Sequence, residues 1–229
     1  MPDSHSLAFW RSAAGAFSGN TSVVFDLFNE PYPEGDADTP AAWSCWRDGG
    51  CVQTSQNGGA PYRAVGMQQL VDAVRGTGAR NIVVAEGIQY AQTVSGWLAY
   101  EPHDADGNLV ASVHLYSWNP CNTWQCYDRD MARVAAHVPM LIGEVGPDLT
   151  VPWNPGLNAS CPRGDVGSTG FDSAVLSWAH QHQVSWTAWS WNPWPTCWAL
   201  VRSFGGNPTA PYGALIKSAL ADQRQPAPA

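Results

Sequence analysis

Short β-branched runs alternate with helix-like stretches along most of this chain, and that alternation constrains its fold most. Strands read at 22–30, 81–86, 110–118, 139–145 and 184–191. Helices read at 5–17, 62–76, 91–100, 128–137, 170–182 and 211–222, the first with Leu7, Trp10, Ala14 and Phe17 on one face. Strands separated by helices pair in parallel through right-handed crossovers. A Gly-, Pro- and Asp-rich loop is expected from Tyr32 to Pro61. The tail Gln225-Pro226-Ala227-Pro228-Ala229 reads as a disordered linker after a single catalytic domain over 1–224.

Two of the strands end in a glutamate. Val23-Val24-Phe25-Asp26-Leu27-Phe28-Asn29-Glu30-Pro31 carries a carboxylate to its tip, where proline stops the pairing. Pro139-Met140-Leu141-Ile142-Gly143-Glu144-Val145-Gly146 has the same design. Parallel strands with crossover helices open their C-terminal ends on one face, so two such tips can serve one site. Two carboxyl groups about 5–5.5 Å apart are what retaining cleavage of a glycosidic bond requires.

With these residues in view, the chain resembles glycoside hydrolase family 5, the cellulase family of (β/α)8 TIM-barrel glycosidases. Asn29-Glu30-Pro31 is similar to its acid/base signature and Gly143-Glu144 to its nucleophile signature. His114-Leu115-Tyr116 and Trp189-Ser190-Trp191 are similar to its other active-site strands. The resemblance implies Glu30 as acid/base and Glu144 as nucleophile. It implies that Asn29 contacts the substrate 2-hydroxyl and that Tyr116 orients the nucleophile. His114 would join the hydrogen-bond network around the sugar, and Trp191 would be its stacking platform. Trp189 is expected in the core, with Trp118, Trp124, Trp194 and Trp198 on strand-end loops. Strict alternation would send Asn29 and Glu30 to opposite faces, so a bulge or strong twist is expected there. Glu86, in Ala85-Glu86-Gly87, is a third carboxylate on the rim, suited to a substrate hydroxyl or a loop salt bridge. Asp26 is expected as a hydrogen-bonded group behind the site.

The five strands resemble strands four to eight of the family's barrel. The expectation is an N-terminally truncated barrel, without the strands that carry an arginine near the nucleophile and a histidine near the reacting sugar. Such a chain would leave open parallel edges.

Composition agrees with a sugar cleft. The chain has 229 residues, enough for one sizeable core, and 13 tryptophans but only 13% charged residues. Indole faces pack on the apolar faces of pyranose rings. Net charge is −8 with no basic run, which excludes a nucleic-acid partner and an anionic membrane surface. No stretch reaches the roughly 18 apolar residues of a membrane span. The six cysteines show no metal-ligand spacing and suggest disulfides, with Cys45–Cys51, Cys121–Cys126 and Cys161–Cys197 as candidate pairs. Disulfides point to an extracellular protein, although Met1-Pro2-Asp3-Ser4-His5 is no signal peptide.

The expected activity is retaining hydrolysis of β-glycosidic bonds by an endo-β-1,4-glucanase, without cofactor or metal, acting as a monomer if complete. A β-mannanase or other β-glycanase is the close alternative. From other classes, the alternatives are a carbohydrate-binding protein without catalysis and a non-functional fragment.

Overall fold

Phe25 N–H donates to Ile82 O and Leu27 N–H to Val84 O, which places the first strand beside the next one in the sheet. In the computed structural model, residues 1–33, 35, 37–54, 59–148, 170–194 and 196–222 are described. The strands are β1 (Phe25–Asp26), β2 (Gly49–Gln53), β3 (Tyr62–Val65), β4 (Val83–Glu86), β5 (Leu109–Leu115), β6 (Met140–Val145) and β7 (Ser185–Ala188). The main sheet has the order β1-β4-β5-β6-β7, and β2-β3 is a separate hairpin. The five strands of the main sheet are those expected from the sequence, and their arrangement is that of a partial (β/α)8 barrel.

The chain divides into two compact units. The first holds Met1–His114 and Asp128–Leu141. Helix α1 (Ser4–Phe17) starts at Asp3, whose carboxylate accepts from His5 N–H at 2.9 Å. It buries Trp10 and Ala14, while Phe17 is exposed, so the apolar stripe ends earlier than its sequence spacing predicts. Parallel register runs Phe25↔Val83 and then Val83↔Leu109 to Glu86↔Ser112. All four residues of β4 are buried, as expected for an inner parallel strand.

Four expectations fail in this unit. The predicted loop from Tyr32 to Pro61 contains helix α2 (Pro40–Asp48) and β2. Thr39 caps α2 by accepting from Ala42 N–H at 3.2 Å, with Pro40 in the first turn. The predicted helix at 62–76 is β3 followed by helix α3 (Met67–Arg75). Gly66 divides them: a Cβ there would lie 2.3 Å from Arg47 O, so only glycine permits the hairpin to close against the end of α2. The predicted helix at 91–100 is reduced to a 3-10 turn, Trp97–Tyr100. At 128–137, a π-helical turn, Tyr127–Met131, and a short α turn, Ala132–Ala135, replace a regular helix.

The second unit holds Leu115–Tyr127 and Ile142–Ala229. Helices α4 (Gly170–Gln181) and α5 (Tyr212–Asp222) match their sequence expectations closely. Leu176, Leu200, Val201, Tyr212 and Ile216 form its core, with Trp186 and Ala188 of β7 packed on them. The regular part of β7 is shorter than the predicted 184–191.

The disulfides Cys45–Cys51 and Cys121–Cys126 form as expected. Cys161 of the third candidate pair lies outside the described residues, as does the tail 225–229. Among the described residues no helix is long and apolar enough to cross a membrane.

Candidate active site

In the first unit, β1, β4 and β5 bring Asp26, Glu30, Glu86 and His114 together. Indole N–H groups saturate the carbonyls where β1 and β4 end. Trp10 donates to Leu27 O at 2.9 Å, Trp97 to Ala85 O at 3.0 Å, and Trp46 to Glu86 O at 2.8 Å. These side chains are buried, so each bond satisfies a polar pair inside the core. Beyond Glu86, a Cβ on Gly87 would overlap Thr93 O at 1.9 Å. The tip of β4 is thereby fixed on both sides.

Regular β1 ends at Asp26, and Glu30 has φ +53°. A left-handed glutamate is uncommon and costs on the order of 1–3 kcal/mol, so it persists only where neighbours hold it. The holder is Glu86, whose Oε2 accepts from Glu30 N–H at 2.6 Å. This turn replaces the predicted bulge: Asn29 and Glu30 have already left the strand, so strict alternation does not govern them. Asn29 is exposed and Glu30 half-buried.

His114 is 2% exposed and lies between two carboxylates. Its Nδ1 is 3.1 Å from Glu30 Oε1 and its Nε2 is 3.1 Å from Glu86 Oε1. Both contacts are hydrogen bonds at once only if the ring carries two protons or one carboxyl carries its own. Glu86, 1% exposed, is therefore not the rim residue expected from its strand-end position. It is a buried strut under Glu30.

Asp26 of β1 stands close enough to Glu86 and His114 to feel the charge of each. Surrounding protein and the charge and hydrogen bond of Glu86 push the Asp26 carboxyl up to about 8, partly opposed by His114. The side chain still keeps much of its surface in water, which weakens these effects. The carboxyl holds its proton where an ordinary aspartate has lost it. The folded chain thus binds a proton more tightly than the unfolded chain. The stability this gives is full below the ordinary aspartate range and is lost as pH rises through about 8.

In the second unit, Tyr116 and Glu144 meet: the Tyr116 hydroxyl donates to Glu144 Oε2. Gly146 makes this possible, because a Cβ there would lie 2.1 Å from the Tyr116 ring. Trp118 stacks on Tyr116 with centroids 4.6 Å apart and meets Trp198 edge-on at 6.4 Å. Trp191 and Trp194 are each 62% exposed. Trp189 is 45% exposed, which corrects its expected place in the core. Its backbone is what is tied in, with its N–H donating to Val145 O at 3.0 Å and its carbonyl accepting from the Tyr212 hydroxyl at 3.0 Å.

The parallel strands, with carboxylates at the ends of β4 and β6 and after β1, define the class: an α/β protein of the (β/α)8 type. Over residues 4–194 the sequence matches the family described as Cellulase (glycosyl hydrolase family 5), and the chain belongs to that family. Among solved structures it is similar to a beta-glucanase of Saccharophagus degradans, with TM-score 0.69 and 18% identity over 96% of this chain and 60% of that one. It is similar to an endo-beta-1,4-glucanase of Xanthomonas axonopodis pv. citri, with TM-score 0.59 and 17% identity over 93% of this chain and 64% of that one. It is also similar to the catalytic domain of a Thermobifida fusca endoglucanase, with TM-score 0.62 and 12% identity over 95% of this chain and 63% of that one. The chain therefore spans between 60% and 64% of the length of these relatives. No curated protein sequence matches it.

Sequence reasoning left the part played by Glu86 open. Its signal was present in Ala85-Glu86-Gly87, a third strand ending in a carboxylate. The contacts that assign it, to Glu30 N–H and to His114, come from strands remote in sequence.

Proposed function

We propose that this chain hydrolyses β-glycosidic bonds in a β-glucan with retention of configuration, as an endo-β-1,4-glucanase. Glu144 attacks the anomeric carbon while Glu30 gives its proton to the leaving glycosidic oxygen. A glycosyl ester on Glu144 results. Glu30, now ionised, takes a proton from water, which attacks the anomeric carbon and expels Glu144. Asn29 binds the 2-hydroxyl, Tyr116 orients Glu144, His114 orients Glu30, and Trp191 stacks on the sugar. No cofactor takes part.

The observation that carries this reading is that both glutamates are held by named partners. Glu30 is gripped by His114 and Glu86, and Glu144 by the Tyr116 hydroxyl. A loop glutamate placed for solubility needs no such support. The β-glucan choice is supported by relatives: the S. degradans beta-glucanase and the T. fusca endoglucanase have been solved in complex with cellotetraose. The two disulfides fit an extracellular site of action.

Reducing-sugar release from soluble cellulose, mannan and xylan tests the substrate. Soluble cellulose is expected to be cleaved fastest. Faster release from mannan would replace the glucanase reading with the mannanase one. No release from any polymer by a sample that melts cooperatively would favour a carbohydrate-binding protein without catalysis.

A further inference from the structure

Resting on Glu30 as the acid/base, we propose that Glu86 is the positioning residue that holds Glu30 for proton transfer, through the Glu30 main chain and through His114. Glu86 uses both oxygens. Oε2 holds the Glu30 N–H at 2.6 Å and so fixes a backbone that glutamate does not adopt unaided. Oε1 faces His114 Nε2 at 3.1 Å and so fixes the ring whose other nitrogen meets Glu30 Oε1. One buried carboxylate thereby sets both the main chain and the side-chain direction of the proton donor.

A buried carboxylate needs compensation. His114 supplies it at Oε1 and the Glu30 N–H at Oε2. Glu86 touches no reacting atom in this scheme and is a positioning residue.

The test separates proton donation from general damage. The intact chain and its Glu86→Gln and Glu30→Gln variants are compared on two cellobiosides. One has a dinitrophenol leaving group, which departs without a proton; the other has an alkyl alcohol, which needs one. Glutamine at 86 keeps the size and an acceptor for Glu30 N–H, but it meets His114 with an amide N–H in place of a carboxylate oxygen, so the ring loses its acidic partner. The expected result is a loss in kcat/KM on the order of 10- to 100-fold for the alkyl glycoside, with little change for the dinitrophenyl one. Equal losses on both substrates would reduce Glu86 to a structural residue and overturn the proposal, as would no loss. Glu30→Gln must show the same selective loss more strongly; if it does not, the acid/base reading itself fails, whatever Glu86 does.

Discussion

Glu144→Gln is expected to abolish release of reducing sugar, lowering kcat/KM on the order of a thousandfold or more. Glutamine matches the carboxylate in shape, but its amide cannot form the glycosyl ester. The amide oxygen still accepts from the Tyr116 hydroxyl, so the contact that orients residue 144 survives. The melting temperature should therefore hardly change, and the loss is chemical. Tyr116→Phe removes the orienting donor and should cost less than Glu144→Gln. A Glu144→Gln variant within tenfold of the unmodified chain would remove Glu144 from the mechanism.

The largest effect on stability is expected from Trp46→Ala. Trp46 is fully buried, packs edge-on against Trp43 at 5.2 Å and donates to Glu86 O. Emptying the site costs about 3–5 kcal/mol. The orphaned carbonyl adds about 1–3 kcal/mol. Domains of this kind are stable by about 5–15 kcal/mol, so the variant should be largely unfolded or melt far lower. Trp46→Phe restores most of the packing but not the N–H and isolates the smaller share. Urea unfolding followed by circular dichroism checks both; a change below about 1 kcal/mol for Trp46→Ala would contradict the assignment.

The strand-end glutamates were legible because the signal is local. A β-branched run followed by Asn-Glu-Pro or Gly-Glu-Val-Gly needs no partner to be recognised. The same holds for α4 and α5, whose apolar spacing and boundaries lie within the segments themselves. The α2–β2 insertion was hidden because its stability comes from elsewhere. Its cap, Thr39, stands in a Gly-, Pro- and Asp-rich setting, and its tryptophans are buried by packing that no local pattern reports. At 62–65, alternation and helical spacing could not be told apart in so short a run, and the antiparallel partner β2 decided the outcome.

The residues that meet around Glu30 were named in the sequence, but their contacts were not. His114 read as an active-site histidine, and it stands against Glu30. The predicted conflict between Asn29 and Glu30 was real for a straight strand, and the left-handed turn at Glu30 removes it. Trp189 read as core because it sits one step behind Trp191, yet only its backbone is tied down. Glu86 gave the least warning. What distinguishes a rim carboxylate from a buried strut is the pair of contacts it makes across the sheet.

Double displacement by Glu30 and Glu144 leaves the newly freed anomeric centre in its original configuration. Proton NMR of soluble cello-oligosaccharide during the first minutes of hydrolysis reads it directly, through the configuration of the newly freed anomeric centre. The expected result is that the β-anomer appears first and the α-anomer later, by mutarotation. First appearance of the α-anomer would mean a single inverting displacement and would contradict the assignment of Glu144 as nucleophile.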